Sequence, residues 1–400
     1  MALADRWISN RARNINGSGI RKVVADARVT PGAITLHLGQ PDFPVPEAIR
    51  NAAADAVRSG MPATNGYTDT RGYPPLLERI KSHLALDVGW DCALLPGEKK
   101  ATAAFVTTGT SGGLITAALA MLDADDEIII PDPYFVLYPH MGDLFGARAV
   151  PCDTYPDFRL TAERVEKLIT PRTKAVLLCS PSNPSGVVSS VREVADLLDL
   201  CKRRGLLLIS DEIYDEFTFD DFKTDTRVGD KKAASPSPAR LPGAEEHVLL
   251  IRGFGKTYGC TGWRLGYAAG PKAIIDEMAK MQQYTYVCAP TPLQAGVVHS
   301  FDVDMSRELA EYKRRRDFVV GQLAKVTEVA MPGGAFYVFA KAPGKDKDAA
   351  TKFYERCKAE KVFIVPGEAF SARDSHFRLS YATKLENLEK GLETIVRLMK

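Results

Sequence analysis

Lys256 stands where lysines seldom stand. It lies in Arg252-Gly253-Phe254-Gly255-Lys256-Thr257-Tyr258-Gly259-Cys260-Thr261-Gly262-Trp263-Arg264, directly after the apolar run Val248-Leu249-Leu250-Ile251. A strand therefore delivers a lysine into a glycine-rich loop. Burying an ammonium is costly, so the placement calls for a purpose: holding a phosphate, or forming an imine with a carbonyl. Gly253-Phe254-Gly255-Lys256-Thr257 imitates the end of a P-loop, but that pattern needs glycine at position 250, which is Leu250. Leu207-Leu208-Ile209-Ser210-Asp211-Glu212 imitates a magnesium-holding strand, yet it precedes the lysine loop, the reverse of the usual order. An imine-forming lysine or an exposed surface lysine remains.

Two further segments carry chemistry of their own. Gly109-Thr110-Ser111-Gly112 falls between an apolar run and a helical pattern. The N–H groups and dipole of a helix N-terminus there make an anion site, and a plain N-cap by Thr110 or Ser111 is compatible with it. Asp211 ends an apolar strand, where an unpaired carboxylate is expensive. Taken alone, it reads as one half of a structural ion pair.

These residues belong to a longer series. Thr261-Gly262-Trp263-Arg264-Leu265-Gly266-Tyr267 with Lys256 resembles the lysine signature of class I pyridoxal-phosphate (PLP) aminotransferases, fold-type I enzymes of the class I/II, aspartate-aminotransferase-like superfamily. The other markers stand in the family's order. They are Gly39-Gln40-Pro41-Asp42-Phe43, Tyr67 before Gly72, Thr107 to Gly113, Pro131-Asp132-Pro133-Tyr134, Ser182-Asn183-Pro184-Ser185-Gly186, Asp211-Glu212-Ile213-Tyr214 and Phe377-Arg378-Leu379-Ser380-Tyr381.

The resemblance implies roles. Lys256 holds PLP as an imine (a Schiff base) and then moves the substrate's Cα proton as general base and acid. Gly109, Thr110, Ser111 and Arg264 hold the cofactor phosphate, Arg264 by a charge-assisted contact. Asp211 pairs with the pyridine nitrogen, which makes the ring a better electron sink. Asn183 and Tyr214 bond the phenolic oxygen, and a cis Asn183-Pro184 peptide fits the pattern. Phe135 stacks on the ring, though a core phenylalanine would look the same. Arg378, with Gly39 and Asn183 beside it, clamps the substrate carboxylate, which suits arginine's planar fork. Tyr67 reaches the phosphate of a neighbouring subunit's site, so a homodimer with shared active sites is expected. The reaction implied is ping-pong transamination between an amino acid and a 2-oxo acid, of the aspartate/2-oxoglutarate type. An alanine or aromatic enzyme, or a PLP lyase of the same fold, are the alternatives.

The elements that must position these residues follow from hydropathy. Apolar runs at 104–108, 127–130, 149–150, 175–179, 206–209 and 248–251 suit strands covered on both faces. Helical stretches at 112–122 and 191–204 separate some of them, the βαβ rhythm of a mostly parallel sheet. The fold class is α/β: a large domain whose sheet, by resemblance, has seven strands covered by helices, plus a smaller α+β domain. The large PLP-binding domain is assigned to 46–295 and the small domain to 1–45 and 296–400. The small domain carries helices at 18–26 and 305–323 and strands at 335–339 and 362–365. The stretch 221–246, rich in Lys, Asp, Ser, Pro and Gly, reads as a surface loop free to move.

Composition excludes other classes. In 400 residues, 52 Lys and Arg balance 50 Asp and Glu, which argues against nucleic acid or a membrane surface as partner. Seven scattered cysteines without a C-x-x-C predict neither zinc nor disulfides, so no metal, and a cytoplasmic location with reduced thiols. Two departures bear on the site. Many relatives carry serine where Gly253 stands, and that serine donates to the phosphate. Some aspartate-using relatives carry a basic residue at the Ser111 position. The segment 282–294, with Tyr284, Tyr286 and Cys288, resembles one that reaches across the dimer towards the substrate side chain, and it holds no arginine.

Overall fold

The computed structural model of the chain describes residues 3–15, 17–225 and 233–400. Its centre is a sheet of seven strands: β1 (Thr102–Thr107), β2 (Glu127–Asp132), β3 (Arg148–Asp153), β4 (Thr173–Cys179), β5 (Leu207–Asp211), β6 (Val248–Gly253) and β7 (Gly266–Pro271). Their order across the sheet is β1-β7-β6-β5-β4-β2-β3. All neighbours run parallel except β7, which is antiparallel to both β1 and β6. Ile128, Ile129 and Ile130 of β2 and Val248 to Ile251 of β6 are wholly buried because helices cover both faces of the sheet.

Six of the strands lie on the expected apolar runs. The seventh, Gly266–Pro271, does not. Its sequence Gly-Tyr-Ala-Ala-Gly-Pro lacks β-branched residues, and only its place between two strands makes it one. The helix Val191–Arg204 has the bounds its signals predict. Ser190 and Glu193 form a capping box, and Gly205 closes the helix in the left-handed conformation at φ 66°. The helix expected at 112–122 begins three residues earlier, as Gly109–Met121.

A second core gathers around an antiparallel sheet of β8 (Tyr337–Lys341), β9 (Val365–Pro366) and β10 (His376–Ser380). Helices Ser306–Leu323, Ala349–Ala359 and Leu385–Met399 pack there, together with Val23, Ala27 and Leu36 from the start of the chain. The helix Gly19–Arg28 belongs to this part and faces Asp211 of β5 and the Lys256 turn across a cleft.

The expected loop at 221–246 is corrected. Residues 226–232 lie outside the described residues, but Ser235 and Ser237 are buried. The Ser237 hydroxyl donates to Glu212 at 2.6 Å, and Arg240 grips Asp87 with two bonds of 2.9 and 3.0 Å. Serine and proline make this stretch look like surface. A buried carboxylate needing hydroxyl donors draws it inside instead.

Candidate active site

Strand register builds the site. Gly266 of β7 pairs with Gly253 of β6 on one side and with Thr107 of β1 on the other. The end of β6 leads into the short helix Phe254–Thr257, which carries Lys256. The residue before Leu265 and β7 is Arg264, in the left-handed conformation at φ 57°. The helix Gly109–Met121 starts two residues past the end of β1. Asp211, at the end of β5, pairs with Cys179 of β4 and Ile251 of β6. The lysine, the arginine, the helix N-terminus and the carboxylate thus converge at the carboxyl ends of the parallel strands, where such sheets place ligands.

Lys256 donates through Nζ to the Gly39 carbonyl and lies 5.9 Å from the Tyr214 ring and 5.8 Å from the Phe336 ring. Burial, then the charges of Arg378 and Arg264, bring its pKa down to about 8, with Asp211 pulling weakly the other way. The amine is therefore about half free near pH 8, where an ordinary lysine is almost wholly protonated. Asp211 is shifted oppositely: burial lifts its carboxyl to about 6 against the Tyr138 hydroxyl, which donates to Oδ2 at 2.8 Å.

Arg378 is only 1 % exposed, and no carboxylate pairs with it among the described residues. One Nη donates to Asn183 Oδ1 at 2.9 Å and the other to the His37 carbonyl at 3.0 Å, while Nε has no partner among the described residues. Tyr337 and Phe370 face the guanidinium at 4.4 and 4.7 Å. A buried cation held by neutral groups, with a donor left over, has the chemistry to take an anion. The Asn183–Pro184 peptide is cis. Tyr214 and Tyr337 join hydroxyl to hydroxyl at 3.1 Å.

Gly109 shows why that position must be glycine. Its φ is +67°, and a Cβ there would lie 2.6 Å from a guanidinium nitrogen of Arg264. The two are packed so that the helix N-terminus and the arginine can hold one anion. Beside them the buried Thr108 hydroxyl lacks a partner among the described residues. At Gly253 a Cβ would meet Ile213 Cδ1 at 2.6 Å. The space that a serine would use is filled by Ile213.

One cavity of about 890 Å³ is lined by Gly39, Gly109, Thr110, Ser111, Phe135, Asn183, Asp211, Tyr214, Lys256, Arg264 and Arg378. Every expected site residue but one lines it. The exception is Tyr67, 86 % exposed and away from the cavity of its own chain. Sequence reasoning missed Tyr138 and Tyr337, whose signals were faint: Tyr138 follows Phe135 by one helical turn, and Tyr337 sits in an aromatic strand. It also missed the support beneath the site. Arg252, 2 % exposed, donates to Glu212 at 2.9 and 3.1 Å and to Asp87 at 2.7 Å, and its Nε is 3.1 Å from Asp215. Glu212 adjoins Asp211, and Arg252 lies four residues before Lys256, so the ion network fixes both strand ends. Among the described residues no cluster suits a metal ion, all seven cysteines are free, and no helix is long and apolar enough to cross a membrane.

Known proteins resemble the chain over nearly its whole length. The family model described as aminotransferase class I and II matches residues 31–395. The putative aminotransferase YugH of Bacillus subtilis is 34% identical over 400 residues, covering 98% of each chain. The aromatic-amino-acid aminotransferase 2 of Thermococcus litoralis is 31% identical over 408 residues, again 98% of each. The Thermus thermophilus aspartate aminotransferase solved with maleate superposes with a TM-score of 0.84 at 31% identity, covering 98% of this chain and 99% of that one.

Proposed function

The chain belongs to the class I and II aminotransferases, and from that premise we propose that it exchanges an amino group between an amino acid and a 2-oxo acid at the Lys256 site with PLP as cofactor. The observation that carries the reading is Arg378, a buried guanidinium that no carboxylate pairs with among the described residues, lining the same cavity as a lysine whose pKa burial brings down to about 8.

The donors fit PLP group by group. The N-terminus of the helix Gly109–Met121, Thr110, Ser111 and Arg264 suit a phosphate. The buried carboxyl of Asp211, in no salt bridge among the described residues, suits a protonated ring nitrogen, and Phe135 lines the cavity as a stacking surface. Asn183 and Tyr214 suit the phenolic oxygen, and Lys256 suits the aldehyde. When bound, PLP supplies the electron sink for Cα–H cleavage and the carbon that carries the amino group between half-reactions.

The protein's own part is positioning and proton transfer. Arg378 and Asn183 fix the substrate carboxylate, and glycine at 39 leaves room for it: a Cβ there would lie 3.0 Å from the Tyr337 hydroxyl. Lys256 Nζ, deprotonated above about pH 8, can take the proton from the substrate Cα and return it two atoms along, to the carbon on the other side of the amino nitrogen. Asp211 stays anionic and keeps the ring nitrogen protonated, with Tyr138 holding its orientation. Because donor and acceptor use the same receptor in turn, the kinetics are ping-pong.

The exposed Tyr67 supports a homodimer in which it completes a neighbour's phosphate site. The two cores support a large domain of 46–295 and a small one of 1–45 with 296–400. Free, mostly buried cysteines support a cytoplasmic location. The relatives named for aspartate and for aromatic amino acids bracket the donor. The test mixes PLP-loaded protein with one amino acid and no acceptor. We expect one equivalent of 2-oxo acid per site and then arrest. Continued product release without acceptor, or carbon dioxide in place of the 2-oxo acid, would overturn transamination.

A further inference from the structure

The cavity is more cationic than the reaction needs. Five basic side chains line it, Arg21, Arg28, Lys256, Arg264 and Arg378, against the single carboxylate of Asp211. Three of the cations have assignments: the cofactor aldehyde, its phosphate and the substrate α-carboxylate. Two remain, both on the helix Gly19–Arg28, seven residues and therefore about 10 Å apart along one face. That helix buries Val23 and Ala27 and turns Arg21, Val24 and Arg28 to the cavity. Neither arginine is ion-paired among the described residues, although the chain carries 50 acidic residues to its 52 basic ones.

The two are not equivalent. The first turn of the helix is fixed beside the carboxylate receptor. A Cβ on Gly19 would lie 3.0 Å from the Ala369 Cβ, and Ile20 packs on the cluster that contains Phe370. Phe370 in turn faces the Arg378 guanidinium at 4.7 Å. Arg21 follows directly, and Arg28 sits two turns away. Resting on the transamination reading, we propose that Arg21 is the residue that reads a second, distal carboxylate of the substrate. The preferred substrates are then dicarboxylic amino acids and 2-oxo acids, and Ile20 and Val24 beside Arg21 supply the apolar wall that contacts their methylenes. No arginine in 282–294 competes for that task. A distal carboxylate meeting a guanidinium fork gains a charge-assisted pair that an uncharged side chain does not.

The test compares half-reactions of the PLP-loaded protein with aspartate, glutamate, alanine and phenylalanine in the parent, Arg21→Ala, Arg21→Lys and Arg28→Ala. Loss of one charged hydrogen-bonding group corresponds to about 10- to 150-fold in kcat/KM. We expect that loss in Arg21→Ala for aspartate and glutamate, mostly in KM, with alanine and phenylalanine changed less than 3-fold. Arg21→Lys should recover part of it, and Arg28→Ala should show no such selectivity. An equal loss for all four donors, or none, overturns the assignment to Arg21 and leaves transamination standing. Failure of the parent with every amino acid overturns both.

Discussion

Removing Arg252 tests whether the ion network beneath the site is structural support. The side chain is 2 % exposed and meets three carboxylates, Asp87, Glu212 and Asp215. Breaking a buried pair by deleting one partner costs about 3–5 kcal/mol, because the other charge stays buried. Arg252→Met leaves partial compensation. Asp87 keeps Arg240 at 2.9 Å, and Glu212 keeps the Ser210 and Ser237 hydroxyls at 2.8 and 2.6 Å. The lower end, about 3 kcal/mol, is therefore expected. For a unit of large-domain size, that lowers the melting temperature by roughly 6 °C. Calorimetry of the parent, Arg252→Met and the control Lys390→Met measures it. Lys390 pairs with Glu386 on the surface at 61 and 72% side-chain exposure, so the control should shift by less than about 1 °C. Adding Glu212→Gln to Arg252→Met should recover part of the loss, since it removes a stranded charge. An Arg252→Met protein that melts within 1 °C of the parent would refute the reasoning.

Three further outcomes are expected. Gly109→Ala, strained at φ +67° and colliding with Arg264, should weaken PLP binding at least 10-fold in a fluorescence titration; unchanged affinity contradicts the phosphate cradle. Capture of the cofactor-free Lys256 amine by a carbonyl reagent should rise with pH through a midpoint near 8 and then level off, and Arg378→Met should move the midpoint upward. A rate still climbing to pH 10 in the parent would show an ordinary lysine. Burial holds His37 and His376 near pKa 4, so between pH 6.5 and 4 the unfolded chain binds protons that the folded one refuses. Their contribution is complete above pH 6.5 and is lost as pH falls through that window, so the urea midpoint should fall there, less steeply in His376→Gln. An unchanged slope in that variant refutes the role of His376.

What was legible in the sequence is what depends on local context. Lys256, Asp211 and the Gly109 turn each follow an apolar run, and a strand end followed by a special residue can be read without coordinates. Arg378 needed its resemblance to other chains, because nothing adjacent to it says what it faces. Strand β7 and the Arg252 network were not legible, for one shared reason. Gly266–Pro271 is a strand only because β1 and β6 flank it. Arg252 is buried only because Asp87 and Glu212, distant in sequence, arrive to neutralise it. Composition likewise misplaced residues 233–240, whose serines serve a buried glutamate instead of water.

The row in which Gly266 joins Gly253 to Thr107 also ties the parts of the site to one another. Helix Gly109–Met121, Lys256 and Arg264 take their places from the three strands that meet there, and the last of these, β7, inserts between two that precede it in the chain. Pairing β7 with β1 closes a long loop, a slow class of contact. That contact spans most of the large sheet's sequence, so the site residues on either side of it are tied to the sheet's longest-range pairing. Because Gly266 pairs with both Gly253 and Thr107, a shift of β7 by one residue would displace Arg264 from the Gly109 turn and from the Lys256 loop at the same time.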